Sequence, residues 1–94
     1  MERTELIRKG NEEFNKLKER WDYAVLKTAT EFFTEANYQD GLFRLGDYLT
    51  YEKHMPLLGL SYYRKIGNTR ARMRMNELQQ RMVMTVRTLV RQLD

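Results

Sequence analysis

Apolar residues recur along two stretches of this chain at helical spacing. In the first, Phe14, Leu17, Trp21, Val25, Thr28, Phe32 and Ala36 follow one another at steps of 3 or 4. In the second, Ala71, Met75, Leu78, Met82, Val86, Leu89 and Leu93 do the same. Each stripe makes six turns at about 3.67 residues per turn, an eleven-residue spacing rather than a strict heptad. That period predicts two nearly straight amphipathic helices, over about 11–37 and 69–93, the first starting near Thr4 or restarting at Asn11.

Polar residues support both. Glu12–Lys16, Lys18–Asp22 and Lys27–Glu31 are opposite charges four apart, a spacing that places them side by side on a helix. Asp40-Gly41 is a turn signal after the first helix, and Asn68 or Thr69 can cap the second. Between them, "GLFRLGDYLTYEKHMP" carries Gly41, Gly46 and Pro56. Leu42, Leu45 and Leu49 fit a short helix, whereas Tyr48 to Tyr51 fits an extended segment equally well. Pro56 suits the first position of another helical piece, Leu57 to Ile66, which Gly67 ends. The expected fold is all-α: one domain over 1–94, an antiparallel hairpin of two long helices (about 11–37 and 69–93), joined by a bent connection with one or two short helices.

Trp21 belongs to the expected core. Phe32 and Phe33 are adjacent and must diverge, one entering the hairpin core and the other packing on the connection. A helix pair buries only one side of each member. The chain is therefore expected to complete its core by self-association or by docking into a larger assembly.

Composition narrows the class. The 94 residues contain no cysteine, which excludes disulfides and thiolate metal sites. A hydrophobic content of 41% argues for a folded chain rather than a disordered one. The longest apolar run, Leu57-Leu58-Gly59-Leu60, is far below a membrane span. The opening "MERTELIRKGNEEF" has no apolar core of a secretory signal and is too acidic for a transit peptide. An intracellular location is expected.

The net charge of +4 is unevenly spread. Residues 1–59 hold nine Lys/Arg and eleven Asp/Glu, whereas residues 60–94 hold eight and two. The basic third points to an anionic partner. On a wheel of the second helix, Arg70, Arg74 and Arg81 gather on one flank, and Arg87 and Arg91 lie on the outer face. Met73 and Met84 stand opposite the core stripe among these arginines, as adaptable contact residues do. Arginine rather than lysine favours bidentate contact with carboxylate or phosphate. Tyr62-Tyr63-Arg64-Lys65 joins candidate stacking rings to positive charge.

The catalytic inventory is poor. His54 is the only histidine and Ser61 the only serine. A Ser61–His54–Asp47 relation has no supporting motif, and one histidine without cysteine makes no usual zinc set. No cofactor or metal is expected, and the chain reads as a non-enzyme. A membrane-surface role is disfavoured, because the basic helix lacks the aromatic anchors of interfacial helices.

Two readings remain. The first is a small helical interaction or structural subunit, or an adaptor, meeting an acidic or apolar protein surface or its own copy. Its contacts would come from Met73, Met84, Arg70, Arg74, Arg81, Arg87 and Arg91. The alternative is a nucleic-acid-binding (RNA or DNA) module. There the same arginines, with Arg64 and Lys65, would touch phosphates, and Tyr62 or Tyr63 would stack.

Overall fold

The computed structural model describes residues 1–93. It is all-helical: α1 (Arg3–Glu19), α2 (Tyr23–Glu35), α3 (Gln39–Asp47) running into a π-helical turn (Tyr48–Glu52), α4 (Pro56–Ile66) and α5 (Thr69–Leu93).

The first long helix starts at Arg3, beside the expected start near Thr4 rather than at Asn11, and breaks at Arg20–Asp22. Asp22 is extended (φ −152°), and its carboxylate accepts the Ala24 N–H at 2.9 Å. An aspartate is a strong N-cap and a mediocre interior residue, so it starts a new helix there. The three-residue turn folds α2 back along α1, and Arg3 Nε donates to the Ala36 carbonyl at 2.8 Å, joining the far ends of the pair.

The break resets the helical phase. Phe14 and Leu17 are buried as expected, but α2 buries Leu26, Ala29 and Phe33, one position beyond the expected Val25, Thr28 and Phe32. Phe33 is the core member of the aromatic pair, and Phe32 lies nearer the surface under the Lys9 ammonium. Trp21, sited in the turn, is only half-buried and packs at the rim, with Lys53 Nζ 5.5 Å from its ring centre.

The first core gathers Phe14, Leu17, Leu26, Ala29 and Phe33 from α1 and α2 with Leu45, Tyr48 and Leu49 from α3 and its π turn. Helix α1 approaches closely because residue 10 is glycine. A Cβ there would lie 2.6 Å from Phe33 Cδ1. The Tyr48 hydroxyl donates to the Leu17 carbonyl at 3.2 Å, so the π turn is tied to α1. The connection is thus helical rather than extended at 48–51.

Pro56 opens α4, and Gly67 in the left-handed region (φ 65°) closes it. Asn68 then caps α5, its side-chain oxygen accepting the Ala71 N–H at 2.8 Å. A second core joins Phe43 of α3, Tyr63 and Ile66 of α4, and Ala71 and Leu78 of α5.

The hairpin of two long helices is kept in part. Helices do fold back in sequence, α2 on α1 and α4 on α3, but α5 rests on α4 rather than along the first helix. Helix α4 has 11 residues and α5 has 25. At about 1.5 Å per residue the support ends long before the helix does. The molecule is accordingly elongated, 58 × 30 × 13 Å.

Candidate docking surface on α5

Helix α5 divides at Leu78. Up to that residue its stripe faces α4, with Ala71 and Leu78 buried and Met75 partly covered. Beyond it the stripe continues in phase without a neighbour: Val86 is 59% exposed, Leu89 55% and Leu93 87%. Val83 and Val90 are also about half exposed. On a wheel, Met82, Val83, Val86, Leu89, Val90 and Leu93 form an apolar arc about 120° wide. That is the width of a core-facing stripe.

Where the overhang leaves the body, an apolar groove of about 490 Å³ opens between α4 and α5. Pro56 and Leu57 wall one side, and Leu78, Arg81, Met82, Thr85 and Val86 the other. Leu57 is 75% exposed at its rim. The groove and the arc are one continuous surface.

The candidate arginines fall into two groups. Arg70 and Arg74 fasten α5 to the body. Arg70 pairs with Asp40 at 3.3 Å, its guanidinium 4.0 Å from the Phe43 ring centre. Arg74 lies between Asp47 (3.4 Å) and Glu77 (3.5 Å) and also stands over Phe43. Both were expected as partner contacts; each has an internal ion pair, and Arg70 is still exposed. A sequence wheel places them on a polar flank but cannot show that Asp40 and Asp47 of α3 face that flank.

Arg81, Arg87 and Arg91 form the other group. They are exposed, and among the described residues none pairs with a carboxylate. No acidic residue lies between Leu78 and Leu93. Met73 and Met84 are exposed as expected, 61% and 66%. Arg64 and Lys65 are exposed in the last turn of α4.

The candidate stacking tyrosines are occupied by the fold. Tyr63 is wholly buried, and its hydroxyl donates to Asp47. Burial, together with that hydrogen bond, pushes its phenol well above the ordinary tyrosine range. The Tyr62 hydroxyl lies 2.7 Å from Thr30 Oγ1, and its ring is packed against the first core. Burial raises this phenol too, partly offset by the Thr30 hydrogen bond. Tyr63 therefore has no face to offer a base. Adjacent residues on a helix point about 100° apart, and the two cores lie on two sides of α4, so each takes one ring.

The residues drawn into a triad also serve the fold. Ser61 donates to the Leu58 carbonyl at 2.6 Å, and Asp47 holds Tyr63 and Arg74. Among the described residues no three His, Asp or Glu side chains are grouped to hold a metal ion, and no helix is long and apolar enough to cross a membrane.

Leu57, Val83 and Val90 are exposed apolar residues that the sequence reading did not single out as candidate contacts. The signal for them was a length mismatch: an 11-residue segment between Pro56 and Gly67 cannot cover a 25-residue stripe. No protein-family model, curated protein or solved structure matches the chain.

Proposed function

We propose that the chain is a non-enzymatic helical interaction subunit whose projecting α5 is its docking element. One observation carries this reading. The outer half of α5 presents an apolar arc of core-facing width that no other helix covers among the described residues. Monomers rarely expose a contiguous apolar surface of that size unless it meets something. An isolated helix of this length is also marginal in water, so contact with another surface would stabilise it.

The test uses tagged chains expressed in their native source: wild type and a Val86→Asp/Leu89→Asp double variant. Both positions are exposed, so the variant should fold. An interaction subunit comes out within a larger species of fixed stoichiometry, and the variant comes out alone. Identical small species from both would sink the reading.

Nucleic-acid binding is the second reading, favoured by Arg81, Arg87 and Arg91, which pair with no carboxylate among the described residues, on a helix segment without acids. Anisotropy of a labelled single-stranded RNA and a DNA duplex decides it, at about 50 and 200 mM salt. Affinity that falls tenfold with salt, and again in Arg87→Ala/Arg91→Ala, would put nucleic acid first. No binding at low salt would remove it.

A further inference from the structure

We infer that the occupant of the α5 surface is a second copy of this chain, its α5 lying antiparallel so that each helix end closes the groove of the other. The inference rests on the docking reading and adds the partner, the orientation and the register.

The first ground is self-complementarity. The overhang from Leu78 to Leu93 is about 22 Å long, and the groove lies at its inner end, beside Leu57. If two such helices run antiparallel with Met82 opposite Leu93 of the second copy, Val86 falls opposite Leu89. Met82, Val86, Leu89 and Leu93 then meet one another along the seam, while Val83 and Val90 flank it opposite Gln92 and Thr85. The free end at Leu93, the most exposed apolar residue of α5, arrives beside Leu57, the most exposed of α4. The contact is isologous and closes on itself, leaving no second sticky end.

The second ground is charge placement. Arg81 borders the groove, but Arg87 and Arg91 lie about 100–140° from the centre of the arc. A foreign partner chosen for acidity would need them at the edges of the seam. In the antiparallel register Arg87 faces Thr88 of the second copy, and Arg91 faces Met84. No arginine of the overhang opposes an arginine. In a parallel pairing Arg87 would stand beside Arg87.

The third ground is area. Leu57 and five exposed residues of the outer arc, at about 100 Å² apiece, give roughly 1,200 Å² for the symmetric pair. That is the lower edge of stable specific interfaces and predicts a dimer in the micromolar range rather than an obligate one.

The chain has no cysteine, so single-cysteine variants report the pairing cleanly. The variants are Met82→Cys and Leu93→Cys, each checked for helicity before oxidation. In the antiparallel register the two like positions are about 16 Å apart, beyond disulfide reach, and the unlike positions are adjacent. Cross-linked dimer should therefore form in the mixture and in neither variant alone. Sedimentation of the untouched wild type from about 1 to 200 µM should move from the 11.4 kDa chain mass towards twice that value. Cross-linking of each variant with itself would show parallel pairing and overturn the inference. A monomeric wild type at the highest concentration would overturn it as well. The docking reading would survive either result if the Val86→Asp/Leu89→Asp chain loses a different, stoichiometric partner, and would fall with the inference if it does not.

Discussion

The inner and outer halves of α5 carry the same stripe at the same period, yet they occupy different physical situations. From Ala71 to Leu78 the stripe meets α4 and the Phe43–Tyr63 pair and is buried. From Val86 to Leu93 it meets solvent. Periodicity therefore states that a face wants covering and not what covers it. In the body, each apolar face has been matched to a neighbour closely enough that Gly10 and Gly41 have no room for a Cβ against Phe33. In the overhang, backbone propensity alone holds the helix, through Arg, Gln, Met and Leu at most of its positions.

Mutations should separate the two regions sharply. The largest effect belongs to the body: Phe33→Ala removes a fully buried ring from the first core and should cost about 3–5 kcal/mol, read by urea unfolding. Gly10→Val should cost about 1–3 kcal/mol by driving a branched side chain into Phe33. If it stabilises instead, as loss of a helical glycine ordinarily does, α1 and α2 are less closely packed than described. Asp22→Ala removes the cap that begins α2 and should cost about 1 kcal/mol. An unchanged unfolding midpoint would mean that the α1–α2 turn is set by packing alone. Arg74→Ala loosens the fastening of α5 to α3 and should cost about 0.2–1 kcal/mol, because its ion pairs are partly in solvent. The smallest effect on the dilute chain is expected in the overhang. Leu89→Ser should leave the unfolding free energy within about 0.5 kcal/mol, while abolishing any concentration dependence of the apparent mass. A large loss of stability in the dilute chain would mean that the outer stripe is already covered, and the contrast between the halves would disappear.

Much of the fold was legible because its signals are local. Pro56, Gly67 and Asn68 mark helix ends through their own backbone preferences, and α4 and α5 begin and end there. The first helix was misread because its stripe survives a break. Phe14 and Leu17 lie in phase with Val25 and Thr28 on paper, and Asp22 looks like one half of an ion pair with Lys18. Its capping of Ala24 wins, and the reversal moves burial from Val25, Thr28 and Phe32 to Leu26, Ala29 and Phe33. For the candidate surface, Met73 and Met84 were visible from one wheel. The internal engagement of Arg70, Arg74 and Tyr63 was not, since it depends on Asp40, Asp47 and Phe43 from a separate helix.

Sequence alone determined that the chain is helical, where α4 and α5 start, and that α5 carries an apolar stripe ringed by arginine. These are consequences of side-chain spacing and backbone preference within a few turns. Only tertiary structure decided which half of that stripe is covered and which arginines are spent on the fold. It also decided that an 11-residue helix supports a 25-residue one. Such outcomes depend on which elements come together, and spacing along one helix holds no information about the length or charge of the helix that packs against it.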